Sequence, residues 1–189
     1  MKYQSNSAIL SISIGGNGKM QADEVLEFIQ FYRHELLNKL QVIQGYVQMG
    51  RTEKANHYFE ELFTNFAKER KLIHLNIPHV FLWFYQYKKE NPQFNLNYSV
   101  EIQTSLNSAD MYIKNNLEQI MQDIKEKCDP KKIYRIHLNF YEHGDDNMIS
   151  VQVDLSEKET QFGNISLSRE IDVRQTADKR IYSFTVDSN

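Results

Sequence analysis

The run Phe31-Tyr-Arg-His-Glu-Leu-Leu-Asn-Lys-Leu-Gln-Val-Ile-Gln-Gly45 decides how the rest of this chain is read. Through and around it, Leu26, Ile29, Arg33, Leu36, Leu40, Ile43 and Val47 recur at alternating steps of three and four. That spacing predicts one long helix with an apolar packing seam, interrupted by a single charge. At about 100° per residue His34 lies well off the seam, while Glu27, Gln30, Asn38, Gln41, Gly45 and Gln48 fall within about 40° of it. The histidine therefore heads a polar stripe flanked by Phe31 and Leu37. An exposed helical histidine is most often plain solvated surface, so spacing alone assigns it no chemistry.

Outward from this run, the helix is expected from near Ala22 to Met49, about 40 Å at 1.5 Å per residue. Gly50 supplies a stop, and Thr52 is the expected N-cap of a second helix. On that helix Ala55, Phe59, Leu62, Phe66 and Ile73 repeat the three-and-four spacing, with Tyr58, Phe63 and Leu72 beside them. A tight antiparallel hairpin follows, spanning 20–76. Two helices enclose no core of their own, so the excess apolar surface predicts a homodimer in which two hairpins form a four-helix bundle. Residues 1–19, with Gly15-Gly-Asn-Gly18 closing a brief apolar run, read as a flexible tail.

Pro78 ends the hairpin, because the residue before a proline is pushed out of helical geometry. From 77 to 189 the pattern changes. Val80 to Tyr85 is aromatic nearly all round, as a helix buried between layers would be. Leu96, Tyr98, Val100 and Ile102 alternate as in a strand, and Ser108 is the expected cap of a helix carrying Ile113, Leu117, Ile120 and Ile124. Strands are expected over 133–140, 149–155 and 181–186, with His143 to Asn147 as a polar hairpin turn and 156–178 unassigned. The fold class is therefore α+β, a helical hairpin followed by a small α/β sandwich.

Composition narrows the function. The 189 residues are 41% hydrophobic and 25% charged with a net charge of -3, ordinary for a globular protein and without the basic surplus that nucleic-acid binding shows. No run is long enough to span a membrane. The lone Cys128 fits a reducing, cytoplasmic setting and reads as a packed thiol. Six histidines show no zinc-protease spacing, so no metal ligand is assigned. Lys131 to His137 interleaves cations with aromatic and aliphatic residues as a two-faced strand does.

The string Arg33-His34-Glu35-x-x-Asn38-Lys39-Leu40-Gln41-Val42-Ile43-x-Gly45 resembles the phospho-acceptor helix of the sporulation initiation phosphotransferase B family, relatives of two-component sensor kinases. The similarity continues through Lys71-Leu72, Asn76, Pro78-His79 and Tyr98 to Val100. It implies a cytoplasmic phosphorelay transferase in which His34 accepts a phosphoryl group from the aspartate of one response regulator and gives it to that of a second. Arg33, Glu35 and Asn38 are the expected supporting residues, and Gln30, Phe31, Leu37, Gln41 and Gly45 the expected contacts with receiver domains. Mg²⁺ is expected on the receiver, with no cofactor on this chain.

The resemblance also implies that 77–189 is a reduced sensor-kinase ATP-binding domain. Asn115-Asn116 is not followed by the kinases' Asn-Ala pair, and Gly144 and Gly163 stand isolated where a glycine loop would cradle phosphates. An ATP-dependent sensor histidine kinase and a non-catalytic dimeric adaptor are the alternatives.

Overall fold

Helix α1 (Ala22–Gln48) ends where Gly50 takes a left-handed conformation, φ 69°, that side chains other than glycine's resist. The Arg51 N–H donates to the Tyr46 carbonyl at 2.9 Å and the Gly50 N–H to that of Val47 at 3.0 Å, the paired closure of a Schellman turn. So short a turn leaves no room for the expected Thr52 cap. Arg51 takes the N-cap position with no side-chain hydrogen bond, and Thr52 is already the first residue of α2 (Thr52–His74). The computed structural model describes residues 22–143, 148–156, 170–176 and 179–187. The expected tail over 1–19 and the turn after His143 lie outside them.

The hairpin forms as expected, but its contact row differs from the expected seam. Phe28, Tyr32, Leu36, Ile43 and Tyr46 are half-buried toward the rest of the chain, whereas Leu26, Ile29, Leu40 and Val47 are 41–60% exposed. Only Leu36 and Ile43 serve both rows. On α2, Ala55 and Leu62 are buried, while Phe59, Phe63 and Ile73 stay exposed. The last turn of α2 points Leu72 inward instead of Ile73, because that turn belongs to the core below.

Leu75 and Ile77 are buried on either side of Asn76, whose φ of 54° is tolerable for asparagine. Pro78 then opens α3 (Pro78–Glu90) at a position where a missing N–H costs nothing. The cap comes from elsewhere in the chain. Asp110, 4% exposed, accepts the His79 and Val80 N–H groups at 2.9 and 3.0 Å and also contacts His79 Nδ1 at 2.8 Å. Helix α3 lies between the hairpin and the sheet: Phe81 and Tyr85 meet Phe28 at 5.5 and 5.3 Å, and Phe84 meets Tyr98 edge-on at 4.9 Å.

The remaining elements are β1 (Phe94–Val100), a 3-10 turn (Asn107–Ala109), α4 (Asp110–Lys127), β2 (Tyr134–His143), β3 (Met148–Ser156), β4 (Asp172–Gln175) and β5 (Lys179–Asp187). Ser108 sits in the 3-10 turn, and the N-cap position of α4 falls to Ala109. Strand β1 begins two residues earlier than its alternation suggests and stops before Ile102, which is buried all the same. The sheet order is β1-β2-β3-β5-β4, with β1 and β2 parallel and the other pairs antiparallel. A parallel pair needs a long crossover, and α4 supplies it.

Alternate sheet residues, among them Ile136, Leu138, Phe140, Val151, Val153, Tyr182 and Phe184, pack with Ile113, Leu117, Ile120 and Ile124 of α4 in one core that includes Cys128. Tyr134 and Ile136 are buried while Arg135 and His137 are exposed, the two-faced strand expected there. The other sheet face is polar, joined by Ser99 to Asn139 at 2.7 Å and Tyr141 to Gln152 at 3.0 Å. Strand β4 falls in the stretch left unassigned. It is a short edge strand with no buried residue, so it carries no apolar alternation.

Candidate functional site

His34 projects from the middle of α1 into solvent, as the stripe predicts. Asn38, one turn on, brings its Nδ2 to 3.2 Å from His34 Nδ1. Residues four apart on a helix are neighbours, and that proximity makes the contact. With its nitrogen facing the ring, the amide can donate to Nδ1 of the Nε2–H tautomer. Turning the carboxamide over presents Oδ1 instead, which holds the Nδ1–H tautomer and leaves the Nε2 lone pair facing solvent. Either face of the Asn38 amide can therefore meet Nδ1, each with a different ring tautomer. Asn38, one of the expected supporting residues, thus meets the imidazole itself.

The other expected residues divide by helix face. Gln30 and Gln41 are exposed on the stripe with His34. Gly45 is half-buried, yet a Cβ built there meets nothing within 4 Å. Its smallness is not required by the chain's own packing. Arg33 and Leu37 stand exposed on the flank shared with Leu26, Ile29 and Leu40, and Leu37 is 52% exposed. Phe31 and Glu35 turn toward a cleft on the opposite flank. There Lys89, from the last turn of α3, lies 5.7 Å from the centre of the Phe31 ring.

Residues 17–75 match the family described as the alpha-helical domain of SpoOB-type sensor kinases. The match takes in α1, α2 and His34, and it covers about a third of the chain. No curated protein matches the sequence. Among solved structures, the histidine kinase ThkA in complex with the response regulator TrrA is 14% identical over 86% of this chain and 61% of its own, with a TM-score of 0.44. This chain thus spans 61% of that kinase chain's length. The nucleotide-free catalytic domain of ThkA is 14% identical over 62% of this chain and 92% of its own, TM-score 0.43. The histidine kinase AdeS of Acinetobacter baumannii is 10% identical over 82% and 98%, TM-score 0.40.

Beyond residues 17–75, the Asn115-Asn116 pair lies on α4. Its inner positions Ile120 and Met121 are sealed in the core, and Asn116 is 3% exposed with its Nδ2 unpartnered among the described residues. Nor does any group of three His, Cys, Asp or Glu among the described residues come together as a metal site. No helix among them is long and apolar enough to cross a membrane. The sequence reading overlooked Glu69, whose carboxylate receives two tyrosine hydroxyls. A single acid on a charged helix gives no signal until α1 and α3 fold against it.

Proposed function

We propose that this protein is a histidine phosphotransferase of a two-component phosphorelay, passing a phosphoryl group between the aspartates of two response regulators through His34, as in sporulation initiation. The observation that carries this reading is the match of residues 17–75 to a SpoOB-type helical domain, with His34 exposed within it. In the Nδ1–H tautomer the Nε2 lone pair forms the N–P bond while the acyl-phosphate O–P bond breaks and the carboxylate leaves with the electron pair. The imidazole keeps its Nδ1 proton, and the Asn38 carbonyl stabilises the charge that develops on the ring. Transfer to the second aspartate reverses the same step.

Such chemistry asks mainly for in-line positioning and neutralised charge. Arg33 is the nearest cation in sequence, and the Mg²⁺ of the reaction belongs to the receiver. Glu35 borders the docking surface. Receivers would lie on the stripe of Gln30, Gln41 and Gly45 between Phe31 and Leu37. The exposed rows of Leu26, Ile29, Leu40 and Val47 on α1 and Phe59 and Phe63 on α2 favour a homodimer, since paired hairpins remove both rows from water.

A second reading is favoured by the family's own description, sensor kinase: an enzyme phosphorylating His34 from ATP. The two are separated by presenting labelled Mg-ATP and, separately, receiver domains labelled through acetyl phosphate. The relay reading expects label on His34 from the receivers alone. Label from ATP alone would move the assignment to the kinase, and stable receiver complexes without any transfer would leave an adaptor.

A further inference from the structure

A cleft of about 500 Å³ opens where the hairpin meets α3 and β1, on the flank of α1 away from the exposed apolar row. That volume is in the range of small-molecule sites, roughly 300–1,000 Å³. Phe31 and Tyr32 of α1, Phe66 and Glu69 of α2, Tyr85 of α3 and Tyr98 of β1 contribute to its walls. Glu69 receives the Tyr32 hydroxyl on Oε2 and the Tyr85 hydroxyl on Oε1, each at 2.9 Å. Both donors are neutral. Among the described residues no lysine, arginine or histidine forms an ion pair with Glu69.

A partly buried carboxylate without a counter-ion, set among aromatic rings, has the chemistry of a cation site. The unpaired charge is costly to keep from water, and ring faces attract ammonium groups once water is displaced. The tyrosines register this charge. Burial first, and then Glu69, push Tyr32 and Tyr98 up to about 12, and Tyr85 is raised further for the same two reasons. Lys39, Lys68 and Lys88 also line the cleft, none of them paired with Glu69 among the described residues. Lys88 is exposed by area, yet the packed surroundings take enough water from its ammonium to lower its pKa, and Lys39 adds repulsion that Glu35 partly offsets.

We propose that this cleft binds a small organic ammonium ion, with its charge against Glu69 and its body among the rings of Tyr32, Tyr85 and Tyr98. The site joins both halves of the chain, so its occupant would hold the hairpin against the α/β part. The proposal is independent of the chemistry of His34.

Calorimetry on the full chain tests it with three probes of one frame: benzylamine as the cation, benzyl alcohol as the neutral analogue and benzoate as the anion. Benzylamine should bind saturably, at least tenfold tighter than benzyl alcohol, and should raise the melting temperature as its concentration rises. Glu69→Gln keeps an acceptor for the tyrosines and should lose that preference. Tyr98→Leu, which leaves both Glu69 hydrogen bonds in place, should weaken benzylamine several-fold, and His34→Gln should bind like wild type. Absence of saturable benzylamine binding in the millimolar range would overturn the proposal, as would equal binding of the alcohol. Tighter binding of benzoate would also overturn it, assigning the cleft to its lysines, Lys39, Lys68 and Lys88.

Discussion

His34 makes one side-chain hydrogen bond among the described residues, to Asn38, so its chemistry and its contribution to folding separate cleanly. His34→Gln should change stability by no more than roughly 0.5 kcal/mol, typical of a surface site, and should abolish transfer of label from phosphorylated receivers. Circular dichroism and the label assay together check both. Asn38→Ala removes the contact with the ring but not the histidine proposed as nucleophile, so transfer should slow without disappearing. Gly45→Ala should raise stability by about 0.5–1 kcal/mol, since glycine is a poor helix former and nothing opposes the added Cβ. If the low spot is kept for a receiver, the same variant transfers more slowly, and unchanged transfer would remove Gly45 from the docking surface. Asp110 matters to folding. Asp110→Ala strands a buried and a partly buried N–H group at the start of α3, and denaturant unfolding should record a loss of about 2–3 kcal/mol.

Helix α1, like α2, has two apolar faces. Its inner face meets α2 and α3 through Phe28, Tyr32 and Tyr46, while Ile29 and Leu40 stand 45% and 41% exposed on the other. In a homodimer that outer row becomes the bundle core. Ile29→Asp with Leu40→Asp should then convert a dimer to a monomer in sedimentation, with helical content nearly retained because neither residue is buried within one chain. Wild-type protein sedimenting as a monomer at micromolar concentration would rule the bundle out.

Across the whole molecule, buried tyrosines tie the layers together and set its response to alkali. Tyr182 donates to Asp123 at 2.9 Å, joining β5 to α4, and its pKa is raised chiefly by burial and then by that bond. Burial also pushes Tyr87 and Tyr98 up to about 12 and raises Tyr85 beyond that. Tyrosines of the unfolded chain ionise near pH 10, approximately their ordinary value. The folded state therefore binds more protons than the unfolded state above that point, and stability falls as pH rises. The contribution is complete below about pH 10 and lost on the way to about 12. The last part of the tyrosinate absorbance, from these buried residues, should thus appear together with the loss of ellipticity. Complete ionisation of all eleven tyrosines near pH 10 in a still folded protein would contradict the burial.

Residues 22 to 48 show how far local pattern reaches. The three-and-four spacing, the stop at Gly50 and the polar stripe headed by His34 were all legible, because helix periodicity is local and sorts each residue to a face without knowledge of the rest. The same holds for β2, β3 and β5, whose apolar alternation follows from one buried sheet face. Pattern cannot say which of two apolar rows on α1 the chain itself covers; the packing of α2 and α3 decided that, leaving Leu26, Ile29 and Leu40 exposed. The cap of α3 was equally hidden, since Asp110 acts across about thirty residues of sequence. Helix and strand patterns are consequences of neighbouring residues and belong to the sequence. The Asp110 cap, the β4 edge and the pairing of Glu69 with Tyr32 and Tyr85 come from segments that meet only in the folded chain, so the tertiary structure alone decided them.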